Sequence, residues 1–85
     1  YPNPFNPTTS IEFELPAAAT VYVRVYNVMG QLVRTLVDGD MKEAGRHGVV
    51  WDGRNESGTQ VASGTYLYTL DYGKSRMART MVLLK

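Results

Sequence analysis

Residues 20–27 read TVYVRVYN, and residues 10–15 read SIEFEL. In the first stretch Val21, Val23 and Val25 occupy every second position, with Tyr22, Arg24 and Tyr26 between them. Neighbouring side chains on an extended chain point to opposite faces, so period two places the valines on one face. β-branched residues stiffen χ1 and favour the pleated backbone over a helix. In SIEFEL the inward set is Ile11, Phe13 and Leu15, and Glu12 and Glu14 face outward. Both stretches predict half-buried strands, and they set the fold class.

Working outward, NVMGQ at 27–31 is a turn whose Gly30 supplies positive φ, and QLVRTLVD returns as the partner strand. DGDMKEAGRHG at 38–48 is polar, with three glycines, and reads as a long loop. VVW at 49–51 follows as a strand, and DGRNESGTQVASG at 52–64 is a second turn-rich region. TYLYTLDY at 65–72 is a strand with Tyr66, Tyr68 and Leu70 on one face. YGKS is a tight turn around Gly73. RMARTMVLL closes the chain as a strand, with Met77, Met81 and Leu83 on one face and Ala78, Val82 and Leu84 on the other. Six to seven short strands in fewer than a hundred residues predict an all-β antiparallel sandwich of about seven strands. Four prolines fall in the first sixteen residues. Residues 1–9 read as a proline-stiffened lead, with Pro4 in it and Phe5 as its anchor on the core, and residues 10–85 as the folded domain.

Eighty-five residues make one domain with one core. A domain of this size buries only about 60–65% of the surface its unfolded chain exposes. There is no cysteine, so no disulfide supplements that core. Nine basic residues against eight acidic ones leave a net charge of +1, a field too weak to hold a nucleic acid. No apolar run reaches the ~20 residues of a membrane span. No charged n-region followed by an apolar stretch opens the chain, so a signal peptide is expected upstream and the chain is read as the end of a longer exported protein.

Few residues carry reactive chemistry. His47 is the only histidine. It lacks a cysteine or an elbow serine to work with, and is expected to pack at a strand start and bond a loop carbonyl. Asp38, Asp40 and Glu43, or Asp52, Asn55 and Glu56, are oxygen-rich, yet neither set has calcium-loop spacing. Asp52-Gly53 is read as a turn dipeptide instead. Glu12 and Glu14 share one outward strand face without a cleft between them. Trp51 is expected in the core with its N–H on a carbonyl. A coplanar row among Tyr22, Tyr26, Tyr66, Tyr68 and Tyr72 would make a sugar-stacking platform, the weaker alternative to cross-strand packing. No catalysis, no metal and no cofactor are expected.

Taken together, PNPFNPTT-IEFELP, VYVRVYNVMGQLVRTLVDG, AGRHGVVWDGRNESGTQVASGTYLYTL and RTMVLLK occur in an order and spacing that resemble a family. The chain resembles the type A C-terminal sorting domain of type IX secretion, and is similar to the related Ig-like domain of the flagellar hook-capping protein. The resemblance implies an Ig-like or fibronectin-III-like sandwich appended to secreted cargo of Bacteroidetes-like bacteria. The domain would be read in the periplasm by an outer-membrane translocon and trimmed by a sortase-like protease, its cargo secreted or left on the cell surface. The family's closing pattern maps onto Arg79, Met81, Val82, Leu83 and Lys85, which would be the recognition residues. Its glycine turns map onto Gly30, Gly64 and Gly73, and Arg76 and Arg79 stand where lysine is common. Pro4, Phe5, Tyr26, His47, Trp51, Asp52, Gly53 and Tyr66 are read as structural. The leading expectation is thus a monomeric, non-catalytic secretion signal, with a structural Ig-like spacer or assembly domain as alternative and a carbohydrate-binding module third.

Overall fold

A computed structural model describes residues 8–84, and Pro4, Phe5 and Lys85 lie outside the described residues. Six strands follow in order: β1 (Thr9–Leu15), β2 (Ala19–Asn27), β3 (Leu32–Lys42), β4 (Gly45–Trp51), β5 (Gly64–Tyr72) and β6 (Ser75–Leu83). β1 and β4 form a two-stranded sheet, and the other four form a sheet in the order β3-β2-β5-β6. All pairings are antiparallel. The inner faces of the two sheets meet in one core. Ile11, Phe13 and Leu15 of β1 lie over Val21, Val23, Val37 and Leu70, and Trp51 closes one end with Val25, Val33, Tyr66 and Leu83. The period-two readings of β1, β2 and β5 therefore hold, with the three valines of β2 fully buried.

The expected all-β antiparallel sandwich of six to seven strands is found, with six strands among the described residues. Two regions bear on the strand limits. The polar stretch 38–48 is not a loop: β3 runs on through Asp38, Gly39, Asp40 and Met41, and β4 begins at Gly45. Glycines and charges are tolerated there because β3 is an edge strand with one face in water. The region 52–63, by contrast, contributes a single bridge between Arg54 and Gln60.

β3 is also irregular. Its register against β2 skips Gly39, Leu36 and Val33 in turn, giving three bulges. Each bulge adds one residue and turns the following side chain to the other face. That is how Val33, Leu36 and Val37, spaced three and one apart, all reach the core. Gly39 sits in one bulge at φ +83°, and a Cβ there would meet the Tyr22 ring at 3.2 Å.

Tyr66 buries its ring near the start of β5 and donates its hydroxyl to the Ala62 carbonyl at 2.6 Å, four residues upstream. This is the tyrosine corner of immunoglobulin-type sandwiches. With the two-sheet topology it makes the fold Ig-like.

Candidate interaction surfaces

The sandwich has two unlike sides. On the β3 side, the segment after Trp51 folds back over the sheet edge. Trp51 is fully buried, meets Tyr66 edge-to-face at 5.1 Å, and donates its indole N–H to the Arg54 carbonyl at 2.9 Å. The next residues form a small closed loop, in which Val61 N–H donates to Gly53 O at 2.9 Å. Gly53 carries φ +74°, where the chain leaves the buried tryptophan.

Glu56 N–H then donates to Val33 O at 3.1 Å, and Thr35 N–H donates to the Glu56 carboxylate at 3.3 Å. Arg34 completes the clamp, reaching Asp52 Oδ1, the Arg54 carbonyl and Glu56 Oε1, each at 3.3 Å. The edge that β3 would otherwise expose is thus covered and partly hydrogen-bonded. Arg34 was not singled out from sequence. Within QLVRTLVD it sits between bulges, so no regular alternation marks the direction of its side chain.

The loop's own tip repeats a device found at the β2–β3 hairpin. In Asn27-Val28-Met29-Gly30-Gln31, Asn27 Oδ1 accepts the amides of Met29 and Gln31, Gly30 N–H donates to Asn27 O, and Asn27 N–H donates to Gln31 O. In Asn55-Glu56-Ser57-Gly58-Thr59 the same four bonds recur at the corresponding positions. Gly30 and Gly58 have φ +81° and +84°. The signal legible in sequence is Asn-x-x-Gly-x, a short side chain that satisfies the turn amides and a glycine free to enter the left-handed region. The second tip docks on β3. The first projects, with Val28 69% and Met29 78% exposed.

Among the described residues the opposite side is open. β6 ends the four-stranded sheet, and β1 ends the two-stranded one. Between them lies a groove of about 520 Å³ lined by Glu12, Phe13, Glu14, Arg46, Tyr68, Met77 and Arg79. β6 pairs with β5 over nine residues without a register shift. Arg79 lies opposite Tyr68, on the inner side of the sheet, and makes no ion pair among the described residues. Met81 is half-buried and Val82 is 60% exposed on the outer face. Leu83 is 1% exposed, so it is a core residue and presents no surface.

On the outer face Asp71 pairs with Arg24 at 3.6 Å and with Arg76. The hydrogen bond and charge of Asp71 hold the Arg76 guanidinium above its ordinary range. Arg24 also lies 5.0 Å from the Tyr22 ring centre. The tyrosines do not form one row: Tyr22 and Tyr26 lie on the outer face, while Tyr66, Tyr68 and Tyr72 pack toward the core. The register of β2 on β5 puts Val25 opposite Tyr68 and Tyr26 opposite Leu67, which separates the two sets. A continuous sugar-stacking platform is therefore not built.

His47 packs on Phe13 with ring centres 5.6 Å apart, and its Nε2 meets the Glu43 carbonyl at 2.6 Å, as the sequence predicts. Asp52 is held by Arg34 and the Arg54 amide, and Asn55 by its own turn. No group of three or more His, Cys, Asp or Glu residues comes together among the described residues. No helix among them is long and apolar enough to cross a membrane.

Comparison with known proteins bears on the two family resemblances. The model of the FlgD Ig-like domain family matches residues 3–75. The crystal structure of FlgD from P. aeruginosa superposes with a TM-score of 0.71 at 26% identity, over 89% of this chain and 58% of that one. No curated protein matches. No sorting-domain family matches, so the reading of this chain as a type IX sorting signal is corrected. With it goes the translocon-directed function. The matching family is structural and non-catalytic. With a match across 3–75 and the fold of FlgD, this chain belongs to the FlgD Ig-like domain family.

Proposed function

We propose that this chain is a non-catalytic assembly domain, acting outside the cytoplasm in the manner of the Ig-like domain of the flagellar hook-capping protein. The observation that carries this reading is the family match over 3–75 joined to the FlgD superposition. The chain spans 58% of the FlgD chain it matches, so the role concerns one part of such a protein. The build of the domain supports it. Asn27, Asn55, Arg34, Asp52, Glu56, Arg24, Asp71 and Arg76 serve turns, the loop clamp and the outer-face ion pairs, and His47 is engaged with a backbone carbonyl. Work of this kind is done by rigid shape and surface.

The reading is tested by a chimera in which this domain replaces the Ig-like domain of P. aeruginosa FlgD. Restored hook assembly and swimming are the expected result. A chimera that is exported and folded, yet builds no hooks, would overturn it.

A further inference from the structure

We propose that the outer edge of β6, unpaired among the described residues, is a strand-docking site, and that its partner is an extended segment carrying one acidic side chain between two apolar ones. The two-residue loop between Tyr72 and Ser75 makes those residues a hydrogen-bonded pair, and pairs alternate from there. Ser75, Met77, Arg79, Met81 and Leu83 therefore bond to β5. Arg76, Ala78, Thr80 and Val82 turn their backbone N–H and C=O groups to the free edge. The edge is nine residues long and unbulged, whereas β3 across the sheet is bulged three times and covered.

Side chains decide what this edge accepts. An added antiparallel strand would place alternate residues over Met77, Arg79 and Met81, at the mouth of the groove toward Phe13 and Tyr68. The flanking positions are apolar and half-buried, and the central one is an arginine without an ion-pair partner among the described residues. On the far wall Glu14 lies opposite Arg46, so two carboxylates and two guanidinium groups line the groove with no net charge. None of these carboxylates pairs with Arg79 among the described residues, and a carboxylate on the docked strand directly opposite it would.

The same arginine works against a second copy. Antiparallel self-pairing centred on this nine-residue strand sets Arg79 against the Arg79 of the copy, and like charges directly opposite are destabilising. Attraction for an acidic strand and repulsion of its own kind together give specificity.

The test is a titration of the chain with the peptide Ser-Thr-Val-Thr-Glu-Thr-Val-Thr-Ser, capped at both ends and followed by amide NMR. Expected are shifts confined to β6 and the groove, binding at least tenfold weaker when the central Glu is Lys, and a reversed preference in Arg79→Glu. Ala78→Pro removes an edge N–H that β5 does not use, so it should abolish binding while melting stays within a few degrees of the parent. Equal affinity for both peptides, no binding by either, or shifts centred on the β2–β3 hairpin tip would each overturn the proposal. The titration reads the edge directly, so its failure leaves the assembly-domain reading to the chimera.

Discussion

The two sides of the sandwich solve one problem differently. Every open sheet has edges whose unpaired amides invite a further strand. On the β3 side the answer is coverage: three bulges twist the strand, and the loop held by Trp51 and Arg34 lies against it. On the β6 side the strand runs without a bulge, no described strand pairs with its outer edge, and a single inward-facing arginine stands guard. Coverage commits many residues and ties the edge to global stability. A lone charge leaves the backbone available and makes admission depend on the partner's chemistry. The contrast teaches that, of the two edges of the four-stranded sheet, the described residues shut the one at β3.

The strongest way to break the contrast is at Trp51. Trp51→Ala removes the ring that fills one end of the core and anchors the covering loop, at about 3–5 kcal/mol. That rivals the few kcal/mol of a domain this small, so thermal melting should show a largely unfolded chain. A retained cooperative transition near the parental midpoint would mean that the covered side is not the main staple. Arg34→Met keeps the stem and deletes the clamp. The expected loss is about 1–2 kcal/mol, discounted because the side chain is 30% exposed. Amide exchange should accelerate across 53–61 and leave β6 unchanged. If the loop stays protected, the single bond from Glu56 N–H to Val33 O suffices to hold it.

Tyr66→Phe sharpens the picture by deleting only the corner hydroxyl, at about 1 kcal/mol in urea denaturation. Its effect should concentrate at the loop before β5. The smallest change in stability belongs to Arg79→Val, within about 0.5 kcal/mol. Its signature is instead concentration-dependent sedimentation as the unguarded edge self-pairs. A variant that stays monomeric at millimolar concentration would show that Arg79 is not the guard.

How much of this was legible in the sequence depended on regular periods. β1, β2 and β5 could be read because one face is dry and the other wet, which writes a clean alternation. The roles of Trp51 and His47 could also be read, since a buried indole needs an acceptor and a lone imidazole without chemical partners becomes a packing group. The extent of β3 could not. Each bulge breaks the period, and its far half, Asp38 to Lys42, is an edge whose composition resembles a loop. The clamp was hidden for the same reason, because Arg34 and Glu56 are 22 positions apart and meet only once the bulges set their directions. The functional family was half legible. The turn spacings belong to the sandwich itself, so they could not separate a sorting signal from an assembly domain.

The twin Asn-x-x-Gly-x turns have a practical consequence. At 27–31 the Asn27 side chain and Gly30 carry the backbone, and Val28 and Met29 are mostly bare to solvent. Those two places are a ready-made grafting platform, where dipeptides without proline at 29, whose amide the turn uses, could be exchanged for display while the hairpin beneath stays in register.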